Sequence, residues 1–269
     1  MYDNLDMLRI YSLLAASLAP VSATSNCTSS IIARAKADGI NLWAVPFAAD
    51  SLASIDAIDA QGAPDEPATL KNASKVDVHA HVVPSWYHAM VPFTGQTPTP
   101  NWVLPYHLAF MASNIIGHSV LSISSPGSVL FPGSEETSAA VARLFNEHLA
   151  AIARKLPHLF SFYAVTPLPY TRAAITETRY ALDHLGAAGV GLLSNHEGYY
   201  LGNRTFTPLF AKLNTSDGAI FVRPSGPCLH SPTAAFSMPT QVSPSCGRDL
   251  HSLTHSTSRL SRRHHWVFL

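Results

Sequence analysis

The chain has 269 residues, of which 47% are hydrophobic and 13% charged, enough to bury one large core or two small ones. Lys+Arg and Asp+Glu both number 17, a balance that argues against a nucleic-acid partner or an anionic membrane surface, and no stretch approaches the ~20 apolar residues of a membrane span. Three cysteines, Cys27, Cys228 and Cys246, are too few and too scattered for a disulfide framework or a Cys-rich zinc module, and they read as free thiols.

Arg9 precedes the apolar run Ile10–Leu18, and Val21-Ser22-Ala23 is a small-x-small cleavage site. Residues 1–23 therefore read as a secretory signal. Asp3 and Asp6 spoil a basic start, which initiation at Met7 would restore; the alternative is a cytoplasmic protein with an apolar N-terminal helix. Sequons at Asn26, Asn72, Asn203 and Asn214 are consistent with secretion. Residues 24–74, rich in Ala and Asp, read as a leader or adapter segment.

From residue 75 the pattern alternates strand and helix. Lys75 to Pro84 read Lys-Val-Asp-Val-His-Ala-His-Val-Val-Pro, a strand over Val76–Val83. Period-2 alternation expects Asp77, His79 and His81 on one face and Val76, Val78, Ala80 and Val82 on the other. With fourteen histidines in the chain, about one His-x-His is expected by chance, so the strand context is what makes His79 and His81 candidate metal ligands. A helix over His107–Ile116, capped by Gly117, leads to a strand over Ser119–Ser124. Ser134 as N-cap, with Glu135 and Glu136 in the first turn, opens a helix with Val141, Leu144, Phe145, Leu149 and Ile152 on one face. Strand Leu159–Val165, helix Arg172–Leu185, strand Val190–Ser194, a short helix from Thr207-Pro208 to about Lys212, and strand Ala219–Arg223 complete the run.

Strands and helices at this spacing mean βα units on a parallel sheet. Five units by residue 223, with no Gly-rich phosphate loop after the first strand, fit a (β/α)8 TIM-type barrel cut short rather than an open doubly wound sheet. Residues 228–269 carry no clear strand or helix pattern and read as an anomalous, disordered tail outside the partial barrel of residues 75–227. Such a fragment leaves open sheet edges that invite a homo-oligomer.

Several motifs now fall in a telling order: the Val76–Pro84 strand, Thr166-Pro167-Leu168-Pro169, Tyr180-Ala181-Leu182-Asp183, Gly189 to Asn195, Tyr200-Leu201-Gly202-Asn203, and Ile220-Phe221-Val222-Arg223-Pro224. As a set they resemble the amidohydrolase-related carboxy-lyases of the aminocarboxymuconate-semialdehyde decarboxylase group, nearest to the 6-methylsalicylate decarboxylase-like branch. The resemblance implies a lyase of secondary metabolism: a divalent-metal barrel, with Zn2+ the expected ion, that decarboxylates a small aromatic carboxylate. It implies His79 and His81 as metal ligands, a third His on the fifth strand and a late Asp in a Gly-Ser/Thr-Asp context.

The sequence departs from that pattern twice. Arg223 stands where the fifth-strand His belongs, and a guanidinium has no lone pair for a metal. No Gly-Ser/Thr-Asp equivalent follows Pro227. Arg223 therefore reads either as a bidentate partner for a substrate carboxylate or as the mark of a noncatalytic relic. A metal-dependent amide or ester hydrolase is the alternative activity, since one fold serves both. Asp77 is expected to orient an imidazole, His196 to be a surface-loop histidine, and Asp183 and Glu197 to be solvated carboxylates.

Overall fold

In the computed structural model, which describes residues 28–94, 97–225 and 266–268, six strands lie side by side in chain order with every neighbouring pair parallel. They are β1 (Lys75–Val82), β2 (Ile116–Ile123), β3 (Phe160–Val165), β4 (Gly189–Leu193), β5 (Ala219–Arg223) and β6 (Trp266–Phe268). The expected parallel α/β architecture is present. Three tail residues depart from the expectation: Trp266–Phe268 pair with Ile220, Phe221 and Val222 as a short sixth strand. The signal reading of residues 1–23, the three cysteines and most of the tail lie outside the described residues. No described helix is long and apolar enough to cross a membrane.

The sheet is curved, and two side chains measure it. In a flat sheet β1 and β5 would stand roughly 19 Å apart, four interstrand spacings. Instead the His79 ring on β1 stacks on Phe221 of β5 with centroids 4.5 Å apart. Val120, Tyr163, Ala188 and Phe221 fill the concave side. The larger apolar cluster, including Leu121, Phe145, Leu149 and Phe162, lies between the sheet and its helices.

The helices are α1 (Thr28–Ala37), α2 (Ala48–Ala60), α3 (Ser85–Met90), α4 (Leu104–Asn114), α5 (Glu135–Lys155), α6 (Thr171–Asp183) and α7 (Thr207–Leu213). Helix α4 ends before Gly117, because Ile115 takes the left-handed conformation at φ 59°. Helix α5 starts as its sequence requires, with Ser134 Oγ accepting from the Thr137 amide and Arg154 and Lys155 closing the last turn. Residues 28–72 do more than precede the barrel. Ile31, Ala35, Leu52 and Ile55 share the larger core with α5 and the sheet, and Arg154 of α5 pairs with Asp59 at 3.1 Å.

Helix α5 is consequently covered nearly all round, with Ser138 to Ile152 buried. Its charged residues had to find partners inside. The fully buried Arg143 pairs with Glu177 of α6 at 2.8 Å and Asp38 at 2.7 Å, and lies over the Tyr180 ring. Asn146 donates to Glu177 and exchanges hydrogen bonds with the Val165 backbone at the end of β3. Tyr180 in turn donates to Glu147.

One glycine fixes the approach of β4 to β5. A Cβ on Gly189 would fall 2.1 Å from the Ala219 carbonyl oxygen and 2.7 Å from the Ala219 nitrogen. Neither backbone atom can yield without breaking the ladder. Gly189→Ala is therefore expected to lower stability by roughly 1–3 kcal/mol through overpacking; a urea midpoint indistinguishable from that of the parent would refute this.

Candidate active site

The strands deliver their C-terminal ends to one mouth, the end at which barrel enzymes place their chemistry. His81 is the penultimate residue of β1, Ser122 that of β2, and Arg223 the last of β5. The register places His81 beside Ser122 and Leu193 beside Arg223.

Strict alternation does not survive along β1. Between Asp77 and Ala80 the strand carries one residue more than β2, so Asp77 pairs with Ser119 but Ala80 with Leu121. An extra residue shifts the side-chain phase, which takes Asp77 out of step with His79 and His81. The expectation for Asp77 is corrected accordingly. Its Oδ1 accepts from the backbone amide of His79 at 3.1 Å, holding the bulge rather than an imidazole.

The two imidazoles do converge. Their Nε2 atoms are 2.8 Å apart and the rings meet edge to face. Nδ1 of His79 lies 3.1 Å from Ser122 Oγ, and Nη1 of Arg223 lies 2.7 Å from Nε2 of His81. Guanidinium can only donate, so His81 Nε2 accepts from it. His79 Nε2–H and the Arg223 N–H share the single lone pair of His81 Nε2 in a three-centre contact, and His79 Nδ1 accepts from the Ser122 hydroxyl. A second arm of Arg223 donates to Ser125 Oγ.

This arrangement disfavours protonation of both histidines. Burial lowers the pKa of His79 to about 4, assisted by His81 and by Arg223. Burial likewise lowers His81 to about 4, assisted by Arg223 and opposed by Asp77. Both rings are neutral near pH 7.

Beside this group opens a cleft of about 500 Å³ including its mouth, lined among others by His79, Ser122, Tyr163, His196, Phe221 and Arg223. Its wall is aromatic: His79 stacks on Phe221, and Phe221 stacks on Tyr163 at 5.1 Å. Burial raises the Tyr163 hydroxyl to about 12, so it stays protonated. His196 is not the surface residue the sequence suggests. It sits in a two-residue strand, Asn195–His196, is 3% exposed, and lines the cleft. Asp183 is exposed as expected. Glu197 is partly buried and structural, accepting from the Gly133 amide at 2.9 Å and from the Tyr170 hydroxyl at 3.0 Å.

Comparisons with known proteins now bear on this geometry. No family model matches the chain. The decarboxylase MacB of Penicillium terrestre is 30% identical over 194 residues, covering 69% of this chain and 56% of that protein. The 6-methylsalicylic acid decarboxylase AcuB of Aspergillus aculeatus is 32% identical over 160 residues, covering 57% of this chain and 48% of that one. Over the matched stretches the chain is homologous to proteins named as decarboxylases. A solved amidohydrolase II superposes with a TM-score of 0.55 at 26% identity, over 66% of this chain and 56% of the other. The same fold recurs in 5-carboxyvanillate decarboxylase of Novosphingobium aromaticivorans, solved with manganese and 4-hydroxy-3-methoxy-5-nitrobenzoic acid. Its TM-score is 0.51 at 17% identity, over 65% of this chain and 57% of that one. The chain spans about half the length of the decarboxylase relatives it matches.

The metal expectation meets a difficulty at this site. Two nitrogens 2.8 Å apart are spaced like neighbouring ligands of one ion, given zinc–nitrogen bonds of about 2.0–2.1 Å. The third corner, however, is a guanidinium that already takes the His81 lone pair. Among the described residues no group of three or more His, Cys, Asp or Glu is placed to hold a metal ion. His79 and His81 are brought together as expected, but with Arg223 between them and any ion the described residues do not fit zinc or another divalent cation.

Proposed function

We propose that the chain is a carboxy-lyase acting on a small aromatic carboxylate of the 6-methylsalicylate kind. The observation that carries this reading is the position of Arg223, a cation held beside two neutral imidazoles at the edge of an aromatic-lined cleft. Guanidinium presents paired N–H groups that match the two oxygens of a carboxylate. Stacked His79, Phe221 and Tyr163 line the cleft with aromatic surface against which a ring can pack. Homology to 6-methylsalicylate decarboxylases supports the same substrate class.

In the proposed reaction the bond between the ring and the carboxyl carbon breaks. Carbon dioxide leaves, the electron pair remains on the ring carbon, and a proton takes the vacated place. One proton is consumed per carbon dioxide released, so the reaction balances without an organic cofactor. Arg223 orients the carboxylate, the cleft wall fixes the ring, and His79 and His196 are the cleft-lining imidazoles available to carry the proton.

The test is a substrate panel on the purified full chain. Carbon dioxide release from 6-methylsalicylate or a related hydroxybenzoate is expected, with no acid released from aryl esters or lactones. Acid release without carbon dioxide would instead establish a hydrolase. Turnover of nothing in the panel would establish the noncatalytic relic.

A further inference from the structure

The point where the two histidines converge is occupied by a fixed cation of the protein's own. Nε2 of His81 is 2.8 Å from Nε2 of His79 and 2.7 Å from Nη1 of Arg223. A divalent ion bonds an imidazole nitrogen at about 2.0–2.1 Å along its lone pair, and here that lone pair accepts an N–H from Arg223. An ion at that distance would also stand within van der Waals range of a guanidinium of like charge. The guanidinium is not loosely placed. It leaves the last residue of β5, is anchored by Ser125 on the loop after β2, and reaches His81 across the curved sheet. Guanidinium carries five N–H donors, of which Ser125 and His81 engage two, so donors remain for a ligand in the cleft that Arg223 lines.

We infer that Arg223 is a built-in replacement for a metal ion: it binds the substrate carboxylate directly and keeps divalent cations off the His79–His81 pair. The carboxylate half of this inference rests on the reading given under Proposed function; the metal half rests on the contacts of Arg223 alone. Arg223 supplies positive charge that needs no free ion, and it supplies it where an aromatic acid entering the cleft would place its carboxylate. The single exchange Arg223→His should therefore do two things together. It removes the anion anchor, and it adds a third imidazole facing the existing two.

The experiment titrates the full chain with Mn2+ alone and follows paramagnetic broadening of the His79 and His81 ring resonances. A parallel titration with salicylate is run with and without EDTA. The parent protein is expected to show no saturable broadening below millimolar Mn2+, and to bind salicylate equally well in EDTA. Arg223→His is expected to bind Mn2+ roughly tenfold tighter or more, as a third ligand completes a site. Arg223→Gln, which removes the charge and adds no imidazole, should lose salicylate without gaining Mn2+ and serves if the His variant fails to fold. Stoichiometric Mn2+ on the parent protein that disappears in His79→Ala would overturn the inference. A parent protein that ignores both Mn2+ and salicylate would sink the carboxylate reading while upholding the exclusion of metal.

Discussion

Arg143→Ala is expected to lower the unfolding free energy by about 3–5 kcal/mol, the usual cost of removing one partner from a buried ion pair. The side chain is wholly buried. Its loss would strand Glu177, which is also fully buried and lies 2.8 Å from it. Burial already pushes the Glu177 carboxyl upward, and Arg143 is the main influence opposing that. Without Arg143 the carboxylate must either remain charged in an apolar setting or take up a proton. The damage would extend further, because Asp38 and the Tyr180 ring meet the same guanidinium. Replacing the pair together, Arg143→Met with Glu177→Leu, should cost distinctly less than Arg143→Ala, since no lone charge is left inside. Urea denaturation of the three proteins checks this. An Arg143→Ala loss under 1 kcal/mol would mean that the network is not a structural anchor.

The second large effect concerns ligand binding. Arg223→Ala should weaken salicylate by about 1.5–3 kcal/mol, the range for a hydrogen bond to a charged group. Arg223→Lys should recover only part of that, because an ammonium cannot offer the paired donors of a guanidinium. Fold stability should respond less than affinity does, since Arg223 contacts His81 and Ser125 at the rim rather than the apolar core. Calorimetric titration separates the two. Equal salicylate affinity in the parent and Arg223→Ala would remove Arg223 from the site.

How far the sequence could be read differs between the fold and the site. The first five strands were legible because each is a short apolar or alternating run bounded by Gly or Pro, and their spacing allowed only parallel neighbours; Trp266–Phe268 was not, because three residues in a Ser- and His-rich tail carry no period. The His79–His81 pair was legible because both lie on one strand, two residues apart. Ser122, Ser125 and Phe221 were not, because they meet His79 or Arg223 only through strand register and sheet curvature, which no local pattern encodes, and Tyr163 joins them by stacking on Phe221. The role of Asp77 failed on a single extra residue in β1, since alternation carries no mark of a bulge. Arg143, Asn146 and Glu147 look like the solvent face of an amphipathic helix. They are buried because α6, through Glu177 and Tyr180, closes over that face together with Asp38 and the end of β3. His196 was read as a surface residue for a similar reason: a histidine after a strand end is usually exposed, and only the packing around the cleft places it inside.

Isotopic labelling tests the decarboxylation directly. The full chain would be incubated in D2O with 6-methylsalicylate labelled at its carboxyl carbon. Labelled carbon dioxide is predicted, together with a phenol carrying deuterium at the vacated ring position. His79→Ala is predicted to be slower by about 10²–10⁴-fold, the usual share of a positioned acid–base group. Full retention of the label in the acid, or release at the same rate from His79→Ala, would contradict the account.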